Sequence, residues 1–188
     1  MAPTPLTLTT PSQAAPTDIT FPQGIFSIPQ GSNSPNQRYR FIGSDQGIVE
    51  DTTTKLQWQR CSVGQTWNRK SCTGLAQSYA WGKAQKLAVK GWRLPTRDEL
   101  ITLVYCSSGQ PNHWRRDAAD KGFTCEGDYN SPTIMEDVFP NTPANWFWSS
   151  LPYAGYADFA WVVFFNNGYI YHNNKIYAGF VRLVRGGD

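Results

Sequence analysis

Histidine and cysteine often carry out catalysis or bind a metal, and both are few in this chain. The chain has two histidines, His113 and His172, and four cysteines. His113 lies in a polar loop and His172 lies among tyrosines and asparagines, and neither belongs to a nucleophile motif such as Gly-x-Ser-x-Gly. We therefore expect both histidines to be solvent-exposed, and we predict a protein that is not an enzyme and uses no cofactor.

The spacing of the cysteines indicates two loop-closing disulfides. Cys61 and Cys72 enclose the polar stretch SVGQTWNRKS, and Cys106 and Cys125 enclose a second polar stretch. An even count with two local brackets is typical of exported proteins, in which a disulfide stabilises the fold by about 2 to 4 kcal/mol. A zinc site is the alternative, but Cys-x-x-Cys spacing and a histidine pair at ligand spacing are both missing.

A calcium site is the second metal hypothesis. The stretch CEGDYN places Glu126, Asp128 and Asn130 at alternating positions, and their side chains offer the oxygen ligands that calcium uses. A full site needs about six to eight oxygens, and the sequence offers no further cluster. We therefore expect a polar loop beside the second disulfide and no bound metal.

The residues near the C-terminus indicate binding. In a strand, Tyr169 and Tyr171 point to one face, with Asn173, Lys175 and Tyr177 nearby. A mixture of tyrosine and asparagine is typical of antibody loops, because flat rings with a polar tip combine with adaptable donors and acceptors. These five residues are the predicted ligand-binding site. The alternative is that the tyrosines only fill a face of a sheet.

Two groups of basic residues could select an anionic ligand. One group lies in the second cysteine loop and the other lies along a predicted helix, and sulfates or carboxylates on a polysaccharide would be attracted to either. Ordinary solubility is the alternative role. The net charge of only +3 argues against a nucleic-acid partner. The candidate anion-binding residues are Arg115, Arg116, Lys121, Lys83, Lys86 and Lys90.

The chain length suits one folded domain behind a flexible leader. Residues 1–20 are rich in proline, threonine and alanine, as linkers are, and we assign residues 21–188 to a single domain. No segment reaches the roughly 18 to 20 apolar residues of a membrane-spanning helix. The start lacks the pattern of a signal peptide. We expect a secreted, periplasmic or cell-surface protein whose export signal is absent from this sequence, with no membrane insertion.

Two helices are predicted. The stretch SYAWGKAQKLAVKG, residues 78–91, has an apolar face that includes Ala80 and Ala88, opposite a face of three lysines. In LPTRDEL, Thr96 and Glu99 have the spacing of a capping box and predict the start of a second helix. The arginines of the adjoining motifs are expected to make structural hydrogen bonds, and they are Arg93, Arg182 and Arg185.

Short strands are predicted on either side of these helices. GIVEDTTTKLQWQRC indicates two strands around a turn at residues 51–55, with Leu56 and Trp58 facing the same way. The end of the chain indicates an antiparallel meander with a two-residue hairpin turn at Asn167 and Gly168. Residues 106–145 are expected to be irregular.

The ordered succession GIVEDTTTKLQWQRCSVGQTW, YAWGKAQKLA, GWRLPTRDEL, FPNTPANWFWSS and AWVVFFNNGYIYHNNKIYAGFVRLVRGG resembles the Lcl C-terminal domain family, named after the C-terminal domain of the Legionella collagen-like adhesin. The resemblance covers residues 47–187. It implies an α+β, C-type-lectin-like fold that is loop-rich, with two helices and short twisted antiparallel sheets. Formylglycine-generating enzymes and the variable proteins of diversity-generating retroelements share that fold.

The resemblance also implies a role and a site. It implies a bacterial adhesin or receptor-binding module that recognises a glycan, for example a sulfated glycosaminoglycan, or another cell-surface receptor. By analogy with that adhesin it implies a homotrimer. In the related variable proteins the ligand contacts lie in the final segment, which here places NNGYIYHNNKIY on the exposed face and leaves Val181, Leu183 and Val184 structural.

Two other functions stay open. The same surface could bind a protein, as in an assembly module at the tip of a pilus, fibre or phage tail. The stretch RLPTRDEL also resembles part of formylglycine-generating enzymes, so an oxidase is a third hypothesis. Oxidase chemistry of that kind would require reactive cysteines in a copper-binding arrangement.

Overall fold

A C-terminal segment that passes from one β-sheet to another organises the structure. The computed structural model describes residues 38–43, 45–115 and 121–186, without the side chains of residues 113–115 and 121–122. The predicted leader, residues 1–20, and the first part of the assigned domain lie outside this description.

The described residues form short strands and shorter helices. The helical elements are α1 (Trp81–Ala84), a 3₁₀ turn (Gln85–Leu87) and α2 (Arg97–Ile101). The strands, in chain order, are β1 (Tyr39–Ile42), β2 (Ile48–Asp51), β3 (Gln57–Gln59), β4 (Thr66–Trp67), β5 (Cys72–Thr73), β6 (Ser78–Ala80), β7 (Pro111–Arg115), β8 (Lys121–Cys125), β9 (Trp146–Pro152), β10 (Phe159–Phe164), β11 (Ile170–Asn174), β12 (Ala178–Phe180) and β13 (Val184–Arg185). The α+β class, with two short helices and small sheets, is confirmed.

Two of the sheets contain most of the strands. A four-stranded sheet has the order β1-β2-β3-β13, and a five-stranded sheet has the order β11-β10-β9-β12-β6. The predicted meander holds for β9 to β11, but β12 lies parallel to β9, and β13 leaves for the other sheet. The prediction of a simple meander was therefore wrong, because the last two strands pair with segments far away in sequence.

The first helix is shorter than its periodicity predicts. Ala80 belongs to β6, where it pairs with Ala178 of β12, and Ala88 is exposed. No side chain caps the N-terminus of α1, and Gly82 lies inside it, so the isolated helix has little intrinsic stability. Tertiary pairing of the residues before it overrides the helical pattern.

The region expected to be irregular contains a hairpin. Strands β7 and β8 pair antiparallel, with Pro111 opposite Cys125. The predicted two-residue turn at Asn167 and Gly168 is also longer, since five residues separate β10 from β11. Phe165 is fully buried there, and its N–H donates to the carbonyl of Asn145 at 2.8 Å, which draws the turn into the core.

Both predicted disulfides are confirmed. Cys61 is bonded to Cys72 and Cys106 to Cys125, with Cα–Cα distances of 5.4 and 5.3 Å. All four cysteines of the chain are therefore oxidised. The chain in this state offers no thiol.

The five-stranded sheet carries an apolar cluster on each face. Along β9, Phe147 belongs to one cluster and its neighbour Trp148 to the other. The first cluster includes Leu100 of α2, and the second includes Ala84 of α1. The helices thus cover opposite faces of one sheet.

Arg182 connects the two sheets from within the core. Its side chain is fully buried, and one terminal nitrogen donates to the carbonyls of Gln59, at 2.9 Å, and of Arg60. The other nitrogen donates to the hydroxyls of Thr142, at 2.7 Å, and Ser62, at 3.3 Å. All four acceptors are uncharged, and burial lowers the pKa of Arg182 to about 9, so the guanidinium remains charged at neutral pH.

Backbone hydrogen bonds hold the residues on either side of Arg182. The N–H of Val63 donates to the carbonyl of Val181 at 2.9 Å, and the N–H of Gln59 donates to the carbonyl of Leu183 at 3.1 Å. Val181, Leu183 and Val184 are all buried, as the predicted structural role requires. The segment between β12 and β13 therefore passes through the interior.

We expect Arg182→Ala to lower the free energy of unfolding by about 3 to 5 kcal/mol, because it opens a cavity and leaves buried carbonyls and hydroxyls without donors. Urea denaturation of the purified chain measures this. Arg185→Ala is the matched control, since Arg185 is only partly buried and donates to Gln57 at 2.8 Å. It should cost about 1 kcal/mol. Equal losses in the two variants would contradict the role assigned to Arg182.

The start of α2 is fixed by the predicted capping box, which is confirmed. The Thr96 hydroxyl accepts from the N–H of Glu99 at 3.1 Å, and the Glu99 carboxylate accepts from the N–H of Thr96 at 2.7 Å. Arg93 donates to both carboxylate oxygens of Glu99 at 2.7 Å. Burial acts to raise the pKa of Glu99, but the hydrogen bonds from Arg93 and Thr96, with the charge of Arg93, lower it further than burial raises it.

This lowered pKa predicts acid sensitivity. The carboxylate of Glu99 stabilises the fold above the ordinary glutamate pKa of 4.5, and that contribution is lost as the pH falls through the lower pKa of the folded state. Urea denaturation of Glu99→Gln should therefore show a smaller loss of stability between pH 7 and pH 3 than the wild type. Glu136→Gln, at an exposed glutamate, should follow the wild-type curve. A Glu99→Gln curve parallel to the wild type would refute the assignment.

Candidate ligand-binding surface

The predicted site lies on the terminal segment, residues 169–177, which contains the edge strand β11. Tyr171 pairs with Val162 of β10 and Asn173 pairs with Ala160, so both lie on the face that carries the α1 cluster. Ile170 points to the opposite face and is buried. The predicted alternation of faces is therefore present, but it does not leave one face of the strand fully open.

Four rings form a column along this edge, which we call the ring stack: Tyr169, Tyr171, His172 and Tyr153. The centroids of Tyr169 and Tyr171 lie 5.5 Å apart, those of Tyr171 and His172 lie 4.3 Å apart, and those of His172 and Tyr153 lie 4.0 Å apart. The three interplanar angles are 25°, 18° and 22°. Tyr171 thus has a ring against each of its faces, so a ligand can reach only its edge.

The expectation of an exposed His172 was wrong. Its imidazole is partly buried and stacks on the rings of Tyr171 and Tyr153, and the centroid of the nearly perpendicular Phe159 ring lies 5.3 Å from its own. The side chain of the other histidine, His113, lies outside the described residues. The position of His172 is set by ring packing at the sheet edge, which short-range sequence pattern does not reveal.

The other predicted residues lie in and beside a tight turn at residues 174–177. The Asn174 side chain accepts from the N–H of Ile176 at 3.1 Å, and its carbonyl accepts from the N–H of Tyr177 at 3.1 Å. The Asn173 side chain accepts from the N–H of Asn174 at 2.9 Å. These bonds fix the turn and leave the Tyr177 ring 57% exposed.

Lys175 ties this turn to α1. Its ammonium group lies 4.7 Å from the centre of the Trp81 ring and donates to the carbonyl of Ala157. Its own carbonyl accepts from the N–H of Trp81 at 3.0 Å. The structure thus places Lys175 against Trp81, the first residue of the helix that carries Lys83.

The candidate anion-binding residues are placed in part. Lys83, Lys86 and Lys90 are exposed, on α1, on the 3₁₀ turn and in the loop that follows. Trp81 lies beneath Lys175 and only two residues before Lys83. The side chains of the second group, at Arg115, Arg116 and Lys121, lie outside the described residues.

Sequence reasoning overlooked two aromatic residues on the face of Tyr171. Trp146 pairs with Phe164 across β9 and β10, and both are half-buried. The Trp146 ring lies on Gly179, where a Cβ would come within 2.1 Å of it, so a glycine is required. The alternation of tryptophan and phenylalanine in NWFWSS indicates two faces, but it does not show which face remains partly open.

The acidic loop near the second disulfide shows no metal-binding arrangement. Glu126 accepts a hydrogen bond from Asn112, and nothing in the described residues groups three or more His, Cys, Asp or Glu side chains around a common point. A cleft of 350 Å³ lies beside this loop. Its lining residues are Tyr105, Ser107, Asn130, Pro132, Ile134, Met135, Glu136 and Asp137.

Comparison with known proteins finds a family whose model matches this chain. The Lcl C-terminal domain family matches residues 47–185, which covers all but the first eight of the described residues and the final one. Neither a curated protein nor a solved structure matches the chain. Across the described part, no helix is long and apolar enough to cross a membrane.

The ring stack predicts that the tyrosines differ in their effect on stability. Tyr171→Ala removes a ring packed on both faces and should lower the free energy of unfolding by about 2 to 3 kcal/mol. Tyr177→Ala, at an exposed ring, should change it by less than about 0.5 kcal/mol. Thermal and urea denaturation compare the two variants. If both variants were equally stable, the stacked arrangement would be wrong.

Proposed function

Because the chain belongs to the Lcl C-terminal domain family over residues 47–185, we propose that it is a non-catalytic ligand-binding domain of an adhesin or receptor-binding module that recognises glycans. The family is associated with adhesins, which is consistent with a surface-binding role, and the two disulfides are consistent with an extracellular location. Within this proposal the fold is C-type-lectin-like. The short helices and small, mostly antiparallel sheets are compatible with that fold.

The observation that carries the proposal is the fixed turn at the end of β11. It exposes the ring of Tyr177 and lies within four residues of the amide of Asn173 and the charge of Lys175. A ring offers an apolar face to the C–H groups of a sugar, and amides and lysine offer partners for its hydroxyl and anionic groups. Because hydrogen bonds already hold the turn, little conformational entropy is lost when a ligand binds.

Charge favours an anionic glycan within this class. Lys175 lies over Trp81, and exposed Lys83 and Lys86 follow on the same helical stretch. Sulfate or carboxylate groups along a polysaccharide would be attracted to such a group of cations. Within this proposal Tyr169 and Tyr171, which stack on each other in the ring stack, would offer a ligand their ring edges.

The oxidase hypothesis lacks its reactive groups in this structure. All four cysteines are bonded in pairs, so none is a thiol that could take part in copper-dependent oxidation. The protein-binding or assembly module is the alternative that the exposed turn also supports. It differs from the glycan proposal in that glycan screens would show no binding.

A heparin column and a glycan array test the proposal. We expect Tyr177→Ala to weaken glycan binding about tenfold, because it removes the exposed ring. Lys83→Gln with Lys86→Gln should elute from heparin at lower salt, since fewer charges attract the polymer. Leu75→Ala is the matched control, an 88% exposed apolar side chain in the loop before β6. Glycan binding that Tyr177→Ala leaves unchanged would remove the turn from the site, and an absence of binding by the wild type would overturn the glycan proposal.

A further inference from the structure

Exposed apolar side chains gather at one end of the five-stranded sheet. Among the described residues six large hydrophobic side chains are exposed, and four of them belong to this end. We call these four the sheet-end patch. They are Leu151, Tyr156, Ile176 and Tyr177, exposed by 38%, 63%, 75% and 57%.

Strand pairing and loop contacts bring the patch together. Leu151 lies at the end of β9, Tyr156 lies in the loop between β9 and β10, and the other two lie between β11 and β12. The N–H of Lys175 donates to the carbonyl of Asp158 at 2.8 Å, and its ammonium group donates to the carbonyl of Ala157. The two loops are therefore fixed to each other at the same end of the sheet.

The patch protrudes from the surface. A side chain such as Ile176 that keeps three quarters of its surface exposed has no walls around it, and the cleft of 350 Å³ is lined by other residues. Exposed apolar side chains that share one end of a sheet are typical of a surface that contacts a protein or a membrane. A protein partner would need a shaped pocket for each protruding side chain, whereas the interface of a lipid bilayer accepts them without shape complementarity.

The net positive charge around the patch favours a membrane that contains anionic lipids. Residues 81–87, 151–158 and 174–177 contain three lysines, Lys83, Lys86 and Lys175, and one acidic residue, Asp158. Tyrosine side chains prefer the headgroup region of a bilayer, and lysines near the surface are attracted to anionic lipids. We propose that the sheet-end patch docks on the surface of a lipid bilayer that carries anionic headgroups. Ile176 and Leu151 enter the interface, and the lysines contact the headgroups.

This docking is peripheral and goes beyond the proposed glycan recognition. The strength of such binding depends on the apolar area that enters the bilayer interface and on the electrostatic attraction to anionic lipids. Tyr177 belongs to both surfaces, and Ile176 belongs to the sheet-end patch alone. Ile176 is therefore the residue that separates the two proposals.

Sedimentation with vesicles tests the proposal. The full chain is mixed with vesicles of phosphatidylcholine and with vesicles that also contain phosphatidylglycerol. We expect binding to the anionic vesicles that weakens at high salt and that falls about tenfold in Ile176→Ser, which removes the apolar side chain without changing the charge. Leu75→Ser, which changes an exposed leucine outside the patch, should bind like the wild type. Thermal denaturation should show that both variants keep their fold, since both side chains are exposed.

Each outcome decides for or against the docking surface. Loss of vesicle binding in Ile176→Ser alone supports it, and heparin binding retained by the same variant shows that glycan recognition is separate. Equal binding by Ile176→Ser and the wild type would overturn the assigned patch. The membrane proposal would be overturned if the wild type did not bind anionic vesicles, or if it bound a protein through Ile176 but no vesicle. The glycan proposal would not be affected by either result.

Discussion

The burial of Arg182 is the constraint on which the two-sheet arrangement depends. A guanidinium in the core is costly unless its donors find acceptors, and here the two terminal nitrogens donate to carbonyls and hydroxyls at the end of β3, in the segment that follows it, and at Thr142. The same nitrogens cannot meet those acceptors unless the chain crosses between the sheets at this point. The ring of Phe139, 4.8 Å from the guanidinium, closes the site on another side.

This fixed crossing determines how the preceding segment is presented. Residues 181–184 are buried, so β12 is held beside β9, and the turn at residues 174–177 must project from the end of the sheet. Hydrogen bonds to Asn174 and the contact of Lys175 with Trp81 then remove the remaining freedom of that turn. A surface ordered in this way before binding loses little entropy when it meets a ligand.

One strand and its turn thus serve two purposes. In β11, Tyr171 stacks against Tyr169 and His172. This stacking covers ring surface and stabilises the edge strand. Beyond β11 the chain exposes Ile176 and Tyr177 with lysines around them. The proposed glycan site and the proposed lipid contact both lie at that end and share Tyr177 and the lysines.

Local sequence determined the features that depend on neighbours along the chain. The capping box of Thr96 and Glu99, both disulfide pairings and the faces of Leu56 and Trp58 follow from spacing alone, because capping bonds, short loops and strand alternation act over few residues. The place of β12 and β13, the shortened first helix and the ring stack were decided by tertiary structure. They arise from pairing and packing between residues that are distant in sequence, and the pattern of neighbouring residues does not show which distant residues will be in contact. The sequence was therefore enough to predict candidate binding residues, but only the tertiary structure showed that Tyr171 is stacked between other rings and that Tyr177 is exposed.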